Sequence, residues 1–143
     1  MEVLYAAVSG LIGTIAMIGV IYVFPLALRR PPLYIPLFVG SRLFSSHPRV
    51  AGLLGTGLLL FNGAVIACVG RLIWHFGAGA RGLLEGLAFG AVLGLLSIVI
   101  MKIIVPAHPK TTEMRPTSQT LIALILWVGH LACGACVALV FAA

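Results

Sequence analysis

Four stretches of the chain, residues 3–28, 50–74, 82–105 and 121–141, are predominantly apolar for at least 21 residues each. A helix needs about 20 apolar residues to cross a hydrocarbon layer of roughly 30 Å. Backbone polar groups have no water to bond to in that layer, so the chain must satisfy them within each segment. The runs are continuous and do not alternate, which argues against a transmembrane barrel. The sequence therefore predicts an all-α fold, an integral membrane four-helix bundle in a single domain spanning residues 1–143.

Composition bears on the same point. Hydrophobic residues make up 62% of the 143 residues and charged residues 8%, against about 25% charged in a soluble domain. A soluble enzyme, a nucleic-acid reader and a disordered chain are all excluded on that balance. The net charge of +6 then reads as membrane topology, not as a polyanion-binding surface. Arg29, Arg30, Arg42, Arg49, Lys102, Lys110 and Arg115 fall in or beside the first and third connections, against Arg71 and Arg81 on the other side. Basic residues favour the cytoplasmic side, so both termini are expected outside, in the periplasm of a bacterial inner membrane. The first span lacks a basic leader and reads as a retained helix, not a signal peptide.

The first connection, residues 29–49, is the longest. Arg29-Arg30-Pro31-Pro32 is expected to stop the first helix, since proline cannot continue the ladder. The apolar run at residues 33–39 is too short to span. It is expected to lie at the interface as an amphipathic or re-entrant piece, with Arg42 and Arg49 toward headgroups.

Small residues recur at helical spacing. Gly82, Gly86, Gly90 and Gly94 follow each other every four residues and define one slowly drifting groove on the third span. Such a groove lets another backbone approach closely. It is read as packing against a neighbouring span, with a face for another subunit as the alternative. Ala6, Gly10 and Thr14 share a face of the first span, and Gly63 and Ala67 one of the second. The pattern predicts tight packing with little room for a large internal cavity.

Polar groups at depth are costly and need partners. Thr14, Asn62 and His130 each lie roughly 12 residues from a membrane edge, about 18 Å by the helical rise. They are expected to form a midplane layer in which Asn62 pairs with His130. The alternative for His130 is an axial ligand to a pigment or haem, or a proton-relay group. No second histidine shares its depth, and no cofactor is predicted. Arg71 and Glu85 flank the short second connection and are expected to form an ion pair there.

Cys133-Gly134-Ala135-Cys136 is a C-x-x-C motif. It resembles that of four-span, quinone-coupled thiol oxidoreductases of the vitamin K epoxide reductase type. Their chemistry needs a second cysteine pair in an outer loop. Here Cys68 is the one remaining cysteine, so packing is the preferred role for Cys133 and Cys136.

Further patterns are Gly10-Leu11-Ile12-Gly13-Thr14-Ile15-Ala16-Met17, Leu60-Phe61-Asn62-Gly63-Ala64-Val65, Arg81-Gly82-Leu83-Leu84 and Gly129-His130-Leu131 followed by Gly134. Together they resemble a family of small, uncharacterised bacterial four-span inner-membrane proteins. Members often carry a histidine just before the Phe-Asn-Gly stretch, where Leu59 and Leu60 stand here. The resemblance implies topology and no activity. The function expected is a non-catalytic accessory subunit of a larger membrane complex, such as an electron-transfer or photosynthetic one, with lipids and other membrane subunits as partners. The alternatives are an oligomeric small transporter or channel, and a thiol oxidoreductase.

Overall fold

A computed structural model describes residues 2–30, 34–45, 47–76, 82–104 and 119–142. Among these residues five helices follow in order: α1 (Glu2–Ala27), α2 (Ile35–Leu43), α3 (Pro48–His75), α4 (Leu83–Ile104) and α5 (Gln119–Ala142). All but α2 are long and apolar enough to cross a membrane. Arg81, His108, Lys110 and Arg115 lie outside the described residues.

The helix ends have local causes. α1 stops at Ala27, ahead of the Arg-Arg-Pro-Pro run expected to end it. Arg30 N donates to Pro25 O and Arg29 N to Leu26 O, both at 2.9 Å. That is the bonding of a Schellman cap, with Arg29 at the left-handed position, φ 54°, where glycine is the usual residue. α3 starts at Pro48, because proline suits a first turn whose N–H would be unbonded anyway.

The apolar piece of the first connection is helical, as α2, and it is tied to the bundle. Pro36 abuts Gly55, and Gly40 abuts Ala51 and Gly55. The earlier residue meets the later one, so α2 runs antiparallel along the first turns of α3. Ile35, Pro36, Phe38 and Gly40 are buried there, while Arg42 and Arg49 are exposed.

The long helices form an open arc in the order α3, α1, α5, α4, with neighbours antiparallel. Small residues set each contact. Gly10 lies on Gly63, Ala64 and Ala67, and Thr14 on Gly63, joining α1 to α3. Gly13 meets Cys133 and Val137, and Gly129 meets Met17, joining α1 to α5. Gly86 meets Gly134 and Ala138, Gly90 meets His130 and Leu131, and Gly94 meets Trp127, joining α4 to α5. Three of the four glycines at four-residue spacing therefore abut α5. The fourth, Gly82, precedes α4 and meets the side chain of Glu85 instead.

α1 and α5 are the middle members of the arc and the most buried of the long helices. Ser9 and Thr14 are buried on α1, and their hydroxyls donate to Ala6 O at 2.7 Å and Gly10 O at 2.8 Å. Back-bonding of this kind lets a hydroxyl sit at depth without an outside partner. α3 and α4 are the two ends of the arc. They do not run along each other. They touch through side chains at the end that carries Glu2, where Trp74 stacks at a tilt on Phe89 with 5.8 Å between ring centroids.

Candidate functional site

His130 occupies the middle of α5, on the side that α4 packs against. Gly90 and Gly94 present bare backbone to α5, and Ser97 lies three residues beyond Gly94, on the same side of the helix. His130 Nδ1 is 2.8 Å from Leu126 O, and Nε2 is 2.9 Å from Ser97 Oγ. A carbonyl only accepts, so Nδ1 carries the proton. In the neutral ring Nε2 then accepts from the Ser97 hydroxyl. The lone pair that an iron or magnesium ion would take is the one that holds Ser97.

This corrects the expected pairing of Asn62 with His130. Asn62 stands exposed on α3 and makes no hydrogen bond to another described residue. The reason is neighbour order. α3 sits at the far end of the arc from α4, whereas the glycine face draws α4 onto α5 and carries Ser97 with it. Thr14 is satisfied by its own helix, so Thr14, Asn62 and His130 are not a bonded layer. Ser97 was missed as a lone serine in an apolar run. Its spacing from Gly94 was the available signal.

The expected pair of Arg71 with Glu85 is also corrected. Arg71 Nη2 lies 3.0 Å from Glu2 Oε2, and the guanidinium carbon lies 5.6 Å from the ring centre of Phe141. α1 packs directly on α3 and so delivers Glu2 to Arg71. Glu85 belongs to α4, across the gap, and folds back toward Gly82.

The gap between α3 and α4 is a cleft of about 400 Å³. It overturns the expectation of a bundle without a large cavity. Small residues close three helix contacts, but nothing equivalent joins the two ends of the arc. The floor is made by α1 and α5. Leu59, Leu93, Ile100 and Met101 supply apolar walls, and Phe89 lines it near the Trp74 contact. Thr14, Asn62, Ser97 and His130 are the polar residues among the described lining, and Cys133 brings a thiol. The three residues expected to bond at mid-depth thus share one cleft without bonding to one another.

Cys133 is half-buried between α1 and α5, and a methyl group at Gly13 would lie 2.9 Å from its Sγ. Cys68, Cys133 and Cys136 are all free thiols. Among the described residues no three His, Cys, Asp or Glu side chains gather where a metal ion could be held. The buried indole N–H of Trp127, beside Gly94, has no hydrogen-bond partner among the described residues.

Comparison with protein-family models, with curated proteins and with solved structures finds no match for this chain.

Proposed function

We propose that the chain is a multi-pass, non-catalytic subunit of a larger assembly in a bacterial inner membrane, such as an electron-transfer or photosynthetic complex. The observation that carries this reading is the double engagement of His130. Both ring nitrogens are committed to protein groups, Leu126 O and Ser97 Oγ, which suits a helix-joining role better than proton transfer or metal ligation. Charge supports the orientation. Arg29, Arg30, Arg42 and Arg49 gather at one end and are exposed, which favours that end as cytoplasmic. Glu2 and Arg71 neutralise each other at the opposite end. The outward faces of α3 and α4 carry exposed Leu53, Leu84 and Val92, which suit lipid or the helices of other subunits.

Gentle detergent extraction followed by native mass analysis tests the proposal. Co-migration with a larger membrane complex is the expected result. A chain that purifies only as a monomer or a closed homo-oligomer contradicts it and favours the transporter alternative.

A further inference from the structure

We propose that the α3–α4 cleft holds one neutral lipophile of the isoprenoid-quinone class, its ring at the depth of Asn62 and Ser97. The chemistry of the lining points to this occupant. At about 400 Å³ the cleft falls within the roughly 300–1,000 Å³ of small-molecule sites. A helix with its side chains is about 10–12 Å across, so less than about one turn would fill that volume. Among the described residues no charged side chain lines the cleft, so they offer an ionic headgroup no counter-charge there. Its walls are apolar apart from a few groups near mid-depth, which suits a molecule that is mostly hydrocarbon with one compact polar head.

Those polar groups have complementary roles. Asn62 lines the α3 wall, and its amide makes no hydrogen bond to another described residue. A plain acyl chain would leave that amide unmet in a water-free layer. A quinone carbonyl would accept from its N–H. On the other wall, the Ser97 proton is taken by His130 Nε2 at 2.9 Å, so the Ser97 oxygen is left as an acceptor. A ring hydroxyl of the reduced form would donate to it. His130 is therefore a positioning residue: it fixes which way the Ser97 hydroxyl points. Binding is the whole of the proposal, and it holds whether or not the chain belongs to a larger complex.

The test uses the full chain in phosphatidylcholine nanodiscs, titrated with a decyl-substituted benzoquinone and read by tryptophan emission. Saturable binding is expected. Asn62→Leu should weaken it about tenfold, the loss of one hydrogen bond. Leu93→Trp, which fills the cleft, should abolish it, while Leu95→Trp on the exposed side of α4 should not. Decylbenzene, the same chain without carbonyls, should bind at least tenfold more weakly than the quinone. Three results overturn the proposal: no saturable binding by the unaltered protein; equal binding of quinone and decylbenzene with Asn62→Leu unaffected; or a change of oligomeric state in Asn62→Leu with quinone affinity retained. Asn62 is exposed, so that variant remains informative even where Leu93→Trp does not fold.

Discussion

Ser97 and His130 join α4 to α5 by a 2.9 Å hydrogen bond that leaves the imidazole with both nitrogens occupied. Interhelical bonds of this type in lipid contribute about 0.6 kcal/mol and up to about 2. A double-mutant cycle of Ser97→Ala and His130→Ala, measured by unfolding in micelles, should give a coupling in that range. The matching cycle of Asn62→Ala with His130→Ala should give none. Coupling to Asn62 with none to Ser97 would reverse the assignment.

The Glu2–Arg71 pair is half in solvent, with the arginine side chain 13% exposed and the glutamate 71%. Exposure limits it, so Glu2→Gln should cost less than about 1 kcal/mol. Arg71→Met should cost more, about 1–2 kcal/mol, because it also loses the Phe141 ring contact. Glu85→Gln should leave the effect of Arg71→Met unchanged. Energetic coupling between Arg71 and Glu85 would show that α4, not α1, supplies the partner.

Gly90 and Gly19 should respond in opposite directions. A methyl group at Gly90 meets the backbone of His130 and Leu131, while one at Gly19 meets nothing within 4 Å. Gly90→Ala should destabilise by about 1–3 kcal/mol, since two backbones must separate. Gly19→Ala should be neutral or stabilise by up to about 1 kcal/mol through helix propensity. Thermal midpoints of the two variants in one detergent decide it, and equal tolerance would mean that the α4–α5 contact is not close.

Arg29 sits in the left-handed cap position that ends α1, with φ 54°. A side chain there is strained by roughly 1–2 kcal/mol. Arg29→Gly should therefore stabilise by about 0.5–1 kcal/mol, part of the gain being lost to the freer unfolded chain. Arg29→Ala keeps the Cβ and should bring no gain. The comparison of the two midpoints is the measurement.

Hydropathy placed the four long helices within a few residues of their ends, because burial of apolar runs is a sum over local sequence. Where the ends differ, cap bonding decided: Arg29 and Arg30 close α1 before the prolines act. The small-residue positions Gly10, Gly63, Gly86 and Gly90 were legible as contact faces for a similar reason, since a missing side chain permits close approach whatever the neighbour. Which neighbour each face meets was less legible.

By itself the sequence determined that this chain is helical and apolar, which residues are small enough for close contact, and that His130 needs a partner at depth. Only the tertiary structure decided who the partners are. Helices that are apolar nearly all round carry little information about their order, so neither Glu2 opposite Arg71 nor Ser97 opposite His130 follows from spacing along the chain. The open α3–α4 edge has the same origin: small residues fix three contacts pairwise, but whether an arc of four helices closes depends on the angles that those contacts set together.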